Sequence, residues 1–147
     1  MNVLKKEIQS MEVSCFVHST EDEGKVATAI AKQLHISREP LSERLEGHFG
    51  NLLVHLRYHL TDEEAWVAFR VMVKGMERDS QRELLESLES SIDEHSALFL
   101  RLSKQELVRG RFALSTGDPV RVRVKPRGFM KRREAATFYG RMLESGD

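Results

Sequence analysis

The residues best suited to chemistry in this chain are six histidines, several close-set groups of cations, and one glycine-bracketed stretch. His18, His35, His48, His55, His59 and His95 form no His-Glu-x-x-His motif, and the single cysteine, Cys15, cannot build a zinc site of cysteine type. His55 and His59 fall in a segment that alternates like a strand, which sets them about 13 Å apart, too far to share one metal ion directly. No nucleophile elbow and no phosphate-binding loop of the Gly-x4-Gly-Lys-Ser/Thr form is present. A carboxylate such as Glu46 or Asp22 could meet His48 or His18 in space, which leaves a hydrolase using His18 and His48 as a distant alternative. Catalysis, a metal and a cofactor are not expected.

The cations point elsewhere. In Arg121-Val-Arg123-Val-Lys125 the alternation puts all three positive charges on one face of a strand. Lys131-Arg132-Arg133 opens the last predicted helix, where the macrodipole disfavours positive charge by ~0.3–1 kcal/mol per group, and free backbone donors with three cations there would grip a phosphate. The preceding Pro126-Arg127-Gly128-Phe129 adds a cation, Arg127, and a ring. Two other readings stay open: a strand edge guarded by cations against aggregation, and a last helix that starts only near Glu134.

The net charge is zero, but it is unevenly spread. Glu77 to Glu94 is acidic apart from Arg78 and Arg82, whereas Arg101 to Arg141 is basic apart from Glu106, Asp118 and Glu134. Such polarity suggests an anionic partner for the basic part, or pairing of the two parts within the fold. In Glu46-Gly-His-Phe-Gly-Asn51 the glycines permit positive φ or close backbone approach. A tight turn anchored by Phe49 is the expectation there, with phosphate or base contact as the alternative.

These groups need elements to position them. Ser/Thr-x-x-Glu capping boxes at Thr20, Thr61, Ser80 and Ser103 mark helix starts. The predicted helices cover about 21–35, 62–76, 80–92, 104–109 and 131–143, with Gly75 breaking the second. Period-two segments mark strands at Met11–His18, Leu52–His59, Leu98–Leu102 and Val120–Lys125. A weaker one lies near Leu41–Glu46, and Phe112–Leu114 is expected to form a hairpin with the last strand through Ser115–Asp118. Leu52, Val54, Leu56, Val120, Val122 and Val124 are expected beneath helices. This order predicts an α+β, two-layer domain: an antiparallel sheet with helices packed on one face. The other face would carry Phe16, His18, His55, Arg57, His59, Phe99, Arg101, Arg121, Arg123 and Lys125. Cations neutralise phosphates there while rings such as Phe99 stack on unpaired bases, which is the chemistry of RNA binding.

A chain of 147 residues fits one domain, expected to span 1–147 with an N-terminal extension over 1–10 and a core from about 11 to 145. The lone cysteine and the absence of a long apolar run or signal-peptide core lead us to expect a cytoplasmic protein without a membrane span.

Val17-His-Ser-Thr-Glu-Asp-Glu-Gly-Lys-Val26, Gly47-His-Phe-Gly-Asn51 and Leu98-Phe-Leu-Arg-Leu-Ser-Lys-Gln105 resemble, in order and spacing, the three signature stretches of an archaeal RNA-binding family described as predicted exosome subunits. The similarity runs from about Met11 to Lys125. It departs at Leu52, where the family usually has proline, and at Ser103, where it usually has aspartate. The resemblance implies a fold similar to ribosomal protein L5, RNA binding without a cofactor, and a link to the exosome and RNA processing. It carries over His18, Asp22, Gly47, His48, Asn51, Arg101, Lys104 and Gln105, of which His18, His48, Asn51, Arg101 and Lys104 join the expected RNA-contacting set. A protein-interaction module docking on an RNA-processing or ribosomal assembly through its acidic third helix is the rival reading.

Overall fold

Alternation of apolar and polar residues sets the strands, and the computed structural model, which describes residues 7–47, 49–115 and 117–145, shows how they pair. The order is β1 (Ile8–His18), α1 (Glu23–Leu34), β2 (Leu41–Glu46), β3 (Leu52–Thr61), α2 (Asp62–Gly75), α3 (Arg78–Glu86), a 3-10 turn (Glu89–Ser91), β4 (Leu98–Ser103), α4 (Lys104–Val108), β5 (Pro119–Pro126) and α5 (Arg132–Ser145). The five strands form one sheet in the order β2-β3-β1-β5-β4, and every adjacent pair is antiparallel. The expected α+β two-layer architecture is the one observed.

One face of the sheet supplies Met11, Val13, Cys15, Val17, Val54, Leu56, Tyr58, Leu98, Leu100, Leu102, Val120, Val122 and Val124, all buried. Against them pack Val26 and Ile30 of α1, Trp66 and Phe69 of α2, and Ala135, Tyr139 and Met142 of α5. Each large aliphatic or aromatic side chain so buried contributes about 1.5–3 kcal/mol. The Tyr139 hydroxyl lies 2.9 Å from the Ser96 carbonyl and 3.2 Å from that of Val124, which ties α5 to the underside of the sheet. Burial also pushes the Cys15 thiol up to about 11, so it is an inert core residue.

Several local expectations are corrected. Strand β1 begins at Ile8, inside the segment assigned to an extension. Of the four capping boxes only Ser103 caps as read, its Oγ accepting from Glu106 N–H at 3.1 Å. Asp22, not Thr20, caps α1, and Thr61 makes no side-chain cap because Asp62 already lies at φ +51°. Ser80 is buried inside the third helix and accepts from Leu114 N–H, so α3 starts earlier and stops at Glu86. Leu114 bridges Leu102 of β4, and Phe112 bridges Met76, so no hairpin joins this segment to β5. Gly75 ends α2 as expected, and a Cβ there would meet the Phe112 ring at 2.9 Å. Leu52 is 60% exposed rather than buried, because its partner strand β2 is exposed on both faces and the helices cover β3 only from Val54 inward.

Candidate nucleic-acid interface

The uncovered sheet face follows from period two and from the register. Where β1 residues with odd numbers go inward, Ser14, Phe16 and His18 go outward, and the pairing fixes what lies beside each. Ser14 faces Arg57 on one side and Arg121 on the other, and Arg121 faces Arg101. Arg57, Arg121 and Arg101 therefore stand in one line across four strands, about 14 Å long at ~4.8 Å per step. All three are exposed, and among the described residues none makes an ion pair. Like charges directly opposite each other in a sheet are destabilising by roughly a few tenths of a kcal/mol. The line thus persists at a small cost to the fold.

Rings flank it. On the β2–β3 side the Phe16 ring stacks on His55, with centroids 4.6 Å apart and planes 20° from parallel. Burial and, less strongly, the Arg57 and Arg121 charges hold the His55 ring below its ordinary pKa, so at neutral pH it is an uncharged flat surface. On the β4 side Phe99, 46% exposed, lies under the Arg123 guanidinium at 5.5 Å. Arg123 is also drawn to Asp93 at 3.8 Å and is half-buried, so it is less available than its neighbours. His59 pairs with Glu12 at 3.3 Å. Lys125 lies beside Ser10 at the far end of the same face, half-buried.

Lys104 behaves differently from its expected role. It is 6% exposed, and its ammonium donates to the Phe16 carbonyl at 2.6 Å, Glu21 Oε1 at 2.8 Å and Asp118 Oδ2 at 2.7 Å. All three of its hydrogens are committed. Burial alone would lower its pKa, but Asp118 and Glu21 outweigh that and raise it. Burial would likewise raise the two carboxyls; the His18 N–H and Lys104 hold Glu21 low, and Lys104 and His18 hold Asp118 low. His18 Nε2 lies 3.0 Å from the same Asp118 oxygen. His18, Glu21 and Asp118 offer ligand atoms within 4.8 Å of one another, as a metal site would. The Lys104 ammonium already stands among them as the cation, so the arrangement is a clasp that joins α4 to the ends of β1 and β5. Lys104, expected among the RNA contacts, is thus buried with its hydrogens held inside the fold.

The Gly47–Asn51 turn closes on itself: Gly47 N–H donates to the Asn51 carbonyl at 2.5 Å and Gly50 N–H to the Gly47 carbonyl at 3.0 Å. Gly50 sits at φ +79°, and a Cβ on Gly47 would meet the Asn51 side chain at 2.5 Å. Phe49 is 91% exposed, so its ring is not buried beneath the turn. Asn51 is exposed, and His48 lies outside the described residues.

The second basic group is set apart from the open face. Arg127 pairs with Asp62 at 2.6 Å. Arg132 Nε donates to the Ile92 carbonyl at 3.1 Å. Arg133 lines a groove between α3 and α5 that also carries Glu86, Glu89 and Glu144. Lys131 is exposed and its carbonyl accepts the first helical bond of α5, from Ala135. The helix does begin with these cations, yet it lies beneath the sheet, so Arg132 and Arg133 do not return to the open face.

A family model described as RNA binding matches residues 10–126. The chain belongs to this RNA-binding family. It is 25% identical over 138 residues to the RNA-binding protein PAB1135 of Pyrococcus abyssi, covering 89% of this chain and 90% of the relative. Among solved structures it resembles Mth689, a DUF54 protein from Methanothermobacter thermautotrophicus, at TM-score 0.78 and 29% identity over 94% of this chain and 99% of the other. Protein AF2318 from Archaeglobus fulgidus gives the same TM-score at 30% identity over 92% and 99%. The family match reaches all five strands, leaving out only Ile8 and Gln9 of β1, and takes in the open face from Phe16 to Lys125. Arg57 is the arginine of that face which the expected contact set left out, along with Phe16, His55 and His59; its place in an alternating strand put it there, but only the pairing put it in line with Arg121 and Arg101. No helix among the described residues is long and apolar enough to cross a membrane.

Proposed function

We propose that this family member binds RNA with unpaired bases on its open sheet face, without cleaving it, and serves exosome-linked RNA processing or degradation in the cytoplasm. The observation that carries the binding reading is Arg101 facing Arg121 across β4 and β5, in line with Arg57 and with no carboxylate partner among the described residues. An uncompensated row of cations beside exposed rings costs the fold something and suits phosphates and bases together. The RNA-binding name of the Pyrococcus relative supports the same partner. A non-catalytic role is favoured because His18 shares its Asp118 oxygen with Lys104, which suits a held ring better than a free base. The exosome link and the description of the fold as L5-like rest on the motif resemblance at residues 17–26, 47–51 and 98–105.

The test is a salt titration of purified protein against short unstructured RNA. About four to six phosphate contacts give a slope of log affinity against log salt near −3 to −4, at roughly −0.7 per contact. Affinity indifferent to salt would remove the sheet face from consideration, and metal-dependent RNA cleavage lost on His48→Ala would make the protein an enzyme. Recovery of exosome subunits with the protein after crosslinking in cells tests the wider role. A second reading, docking on a protein assembly through α3, is favoured by exposed Glu83, Glu86 and Glu89. Reversing these three to Lys should weaken such docking while strengthening nonspecific RNA binding.

A further inference from the structure

Strand β4 is an outer strand, and its free edge is closed except at one place. The Ala97 carbonyl accepts from Asp93 N–H at 3.0 Å, the Arg101 carbonyl from Ser115 N–H at 2.9 Å, and Ser103 N–H donates to the Ala113 carbonyl at 2.7 Å. Odd-numbered residues of β4 thus turn their backbone groups away from β5. Bridges from Leu98 to Ile92 and from Leu102 to Leu114 seal the two ends of this edge. Between them the Phe99 carbonyl and the Arg101 N–H point outward, and among the described residues neither makes a hydrogen bond. They face an open cleft of about 640 Å³ lined by Glu83, Ser87, Ser90, Ser91, Phe99 and Arg101, among others.

We propose that this cleft receives one unpaired nucleobase of the bound RNA, an inference that rests on the RNA-binding reading above. One acceptor and one donor, two residues apart on an extended strand, match the adjacent donor and acceptor on a base's Watson–Crick edge. The slot is a single residue wide and blocked at both ends, so it cannot take a peptide strand, which needs a longer run of paired groups. Charge sorts the nucleotide. Arg101 and Arg121 attract its phosphate to the open face, while the exposed Glu83 carboxylate on the cleft wall repels phosphate and accepts from a base's amino group. Ser87, Ser90 and Ser91 each donate their hydroxyl hydrogen to a carbonyl of their own turn, which leaves their oxygens as further acceptors. The RNA backbone stays on the sheet, and a base turns over its edge beside the Phe99 ring.

The test compares a short unstructured RNA with an abasic sugar-phosphate oligomer of equal length, while following the Arg101 backbone amide by NMR. The RNA is expected to bind about tenfold more tightly, the value of one or two added hydrogen bonds with stacking, and to shift the Arg101 amide strongly; the abasic oligomer, which meets Arg101 only through its side chain, shifts that amide less. Ser90→Trp, an exposed substitution that fills the cleft, is expected to lower RNA affinity toward the abasic level, leaving only the stacking on the open face, and to abolish the shift. An Arg101 amide indifferent to RNA, or Ser90→Trp binding RNA as wild type does, overturns the base pocket while salt-dependent RNA binding survives. Failure of both oligomers to bind overturns it together with the RNA-binding reading.

Discussion

Arg121 and Lys104 lie near opposite limits of what a cation does in this protein. Arg121 stands exposed between Ser14 and Arg101, with no carboxylate within ion-pair distance among the described residues. Lys104 is buried with a carbonyl and two carboxylates around its ammonium. The first has no ion-pair partner among the described residues, and on the proposed function its charge is left for RNA. The second has no hydrogen left for a ligand and holds together the ends of three elements. A count of cations along the chain treats them alike; their partners separate them.

Lys104→Met separates the two cations most strongly. Removing the ammonium strands the Phe16 carbonyl and leaves Glu21 and Asp118 facing each other, which should destabilise the protein by about 2–3 kcal/mol in denaturant titration. The salt slope of RNA binding, measured under folding conditions, should stay at its wild-type value. A slope shallower by a full contact would return Lys104 to the interface.

Phe99→Ala should lower RNA affinity by about 1–3 kcal/mol with the slope unchanged, because stacking releases few ions. Arg101→Ala with Arg121→Ala should instead make the slope about 1.4 units shallower, at roughly 0.7 per lost contact. That pair should leave stability unchanged or slightly improved, since it relieves a like-charge contact. Arg123→Ala should change the slope by less than about 0.7 units, because Arg123 is already engaged with Asp93 and the Phe99 ring. Equal slopes for Arg121→Ala and Arg123→Ala would show that the register does not grade these cations.

The smallest effect concerns acid. Glu21 and Asp118 have folded pKa values below their ordinary 4.5 and 3.8. The unfolded chain therefore binds protons first as pH falls, and the clasp's contribution is fully present above that range and lost below it. Thermal melting from neutral to acid pH should show this loss in the wild type and a flatter acid limb in Lys104→Met. Both carboxylates are partly exposed, so solvent screening keeps the difference small.

Much of this was legible from one-dimensional pattern. Period two put Arg57, Arg101, Arg121 and Phe99 on the same side of their strands, and period 3.6 with Gly75 marked α2, because both are local consequences of backbone geometry. Leu52 escaped that logic: its alternation is correct, but burial requires a helix beneath it, and among the described residues α1 reaches only as far as Arg44, opposite Val54. The Ser80 capping box failed for a related reason, since a buried hydroxyl bonded to Leu114 is chosen by packing rather than by spacing.

Local pattern along the chain dictates which residues share a face and that the face is basic and ringed, and the motifs place the chain in an RNA-binding family. Strand pairing and packing, by contrast, set β5 between β1 and β4, which aligns Arg57, Arg121 and Arg101, and put Arg132 and Arg133 on the opposite side. They also decide that Lys104 meets Phe16, Glu21 and Asp118, the first two more than eighty residues away along the chain. The physical reason is that side-chain direction follows from neighbouring φ and ψ angles, whereas the partner of a charge follows from which strands pair, and pairing is a property of the whole sheet.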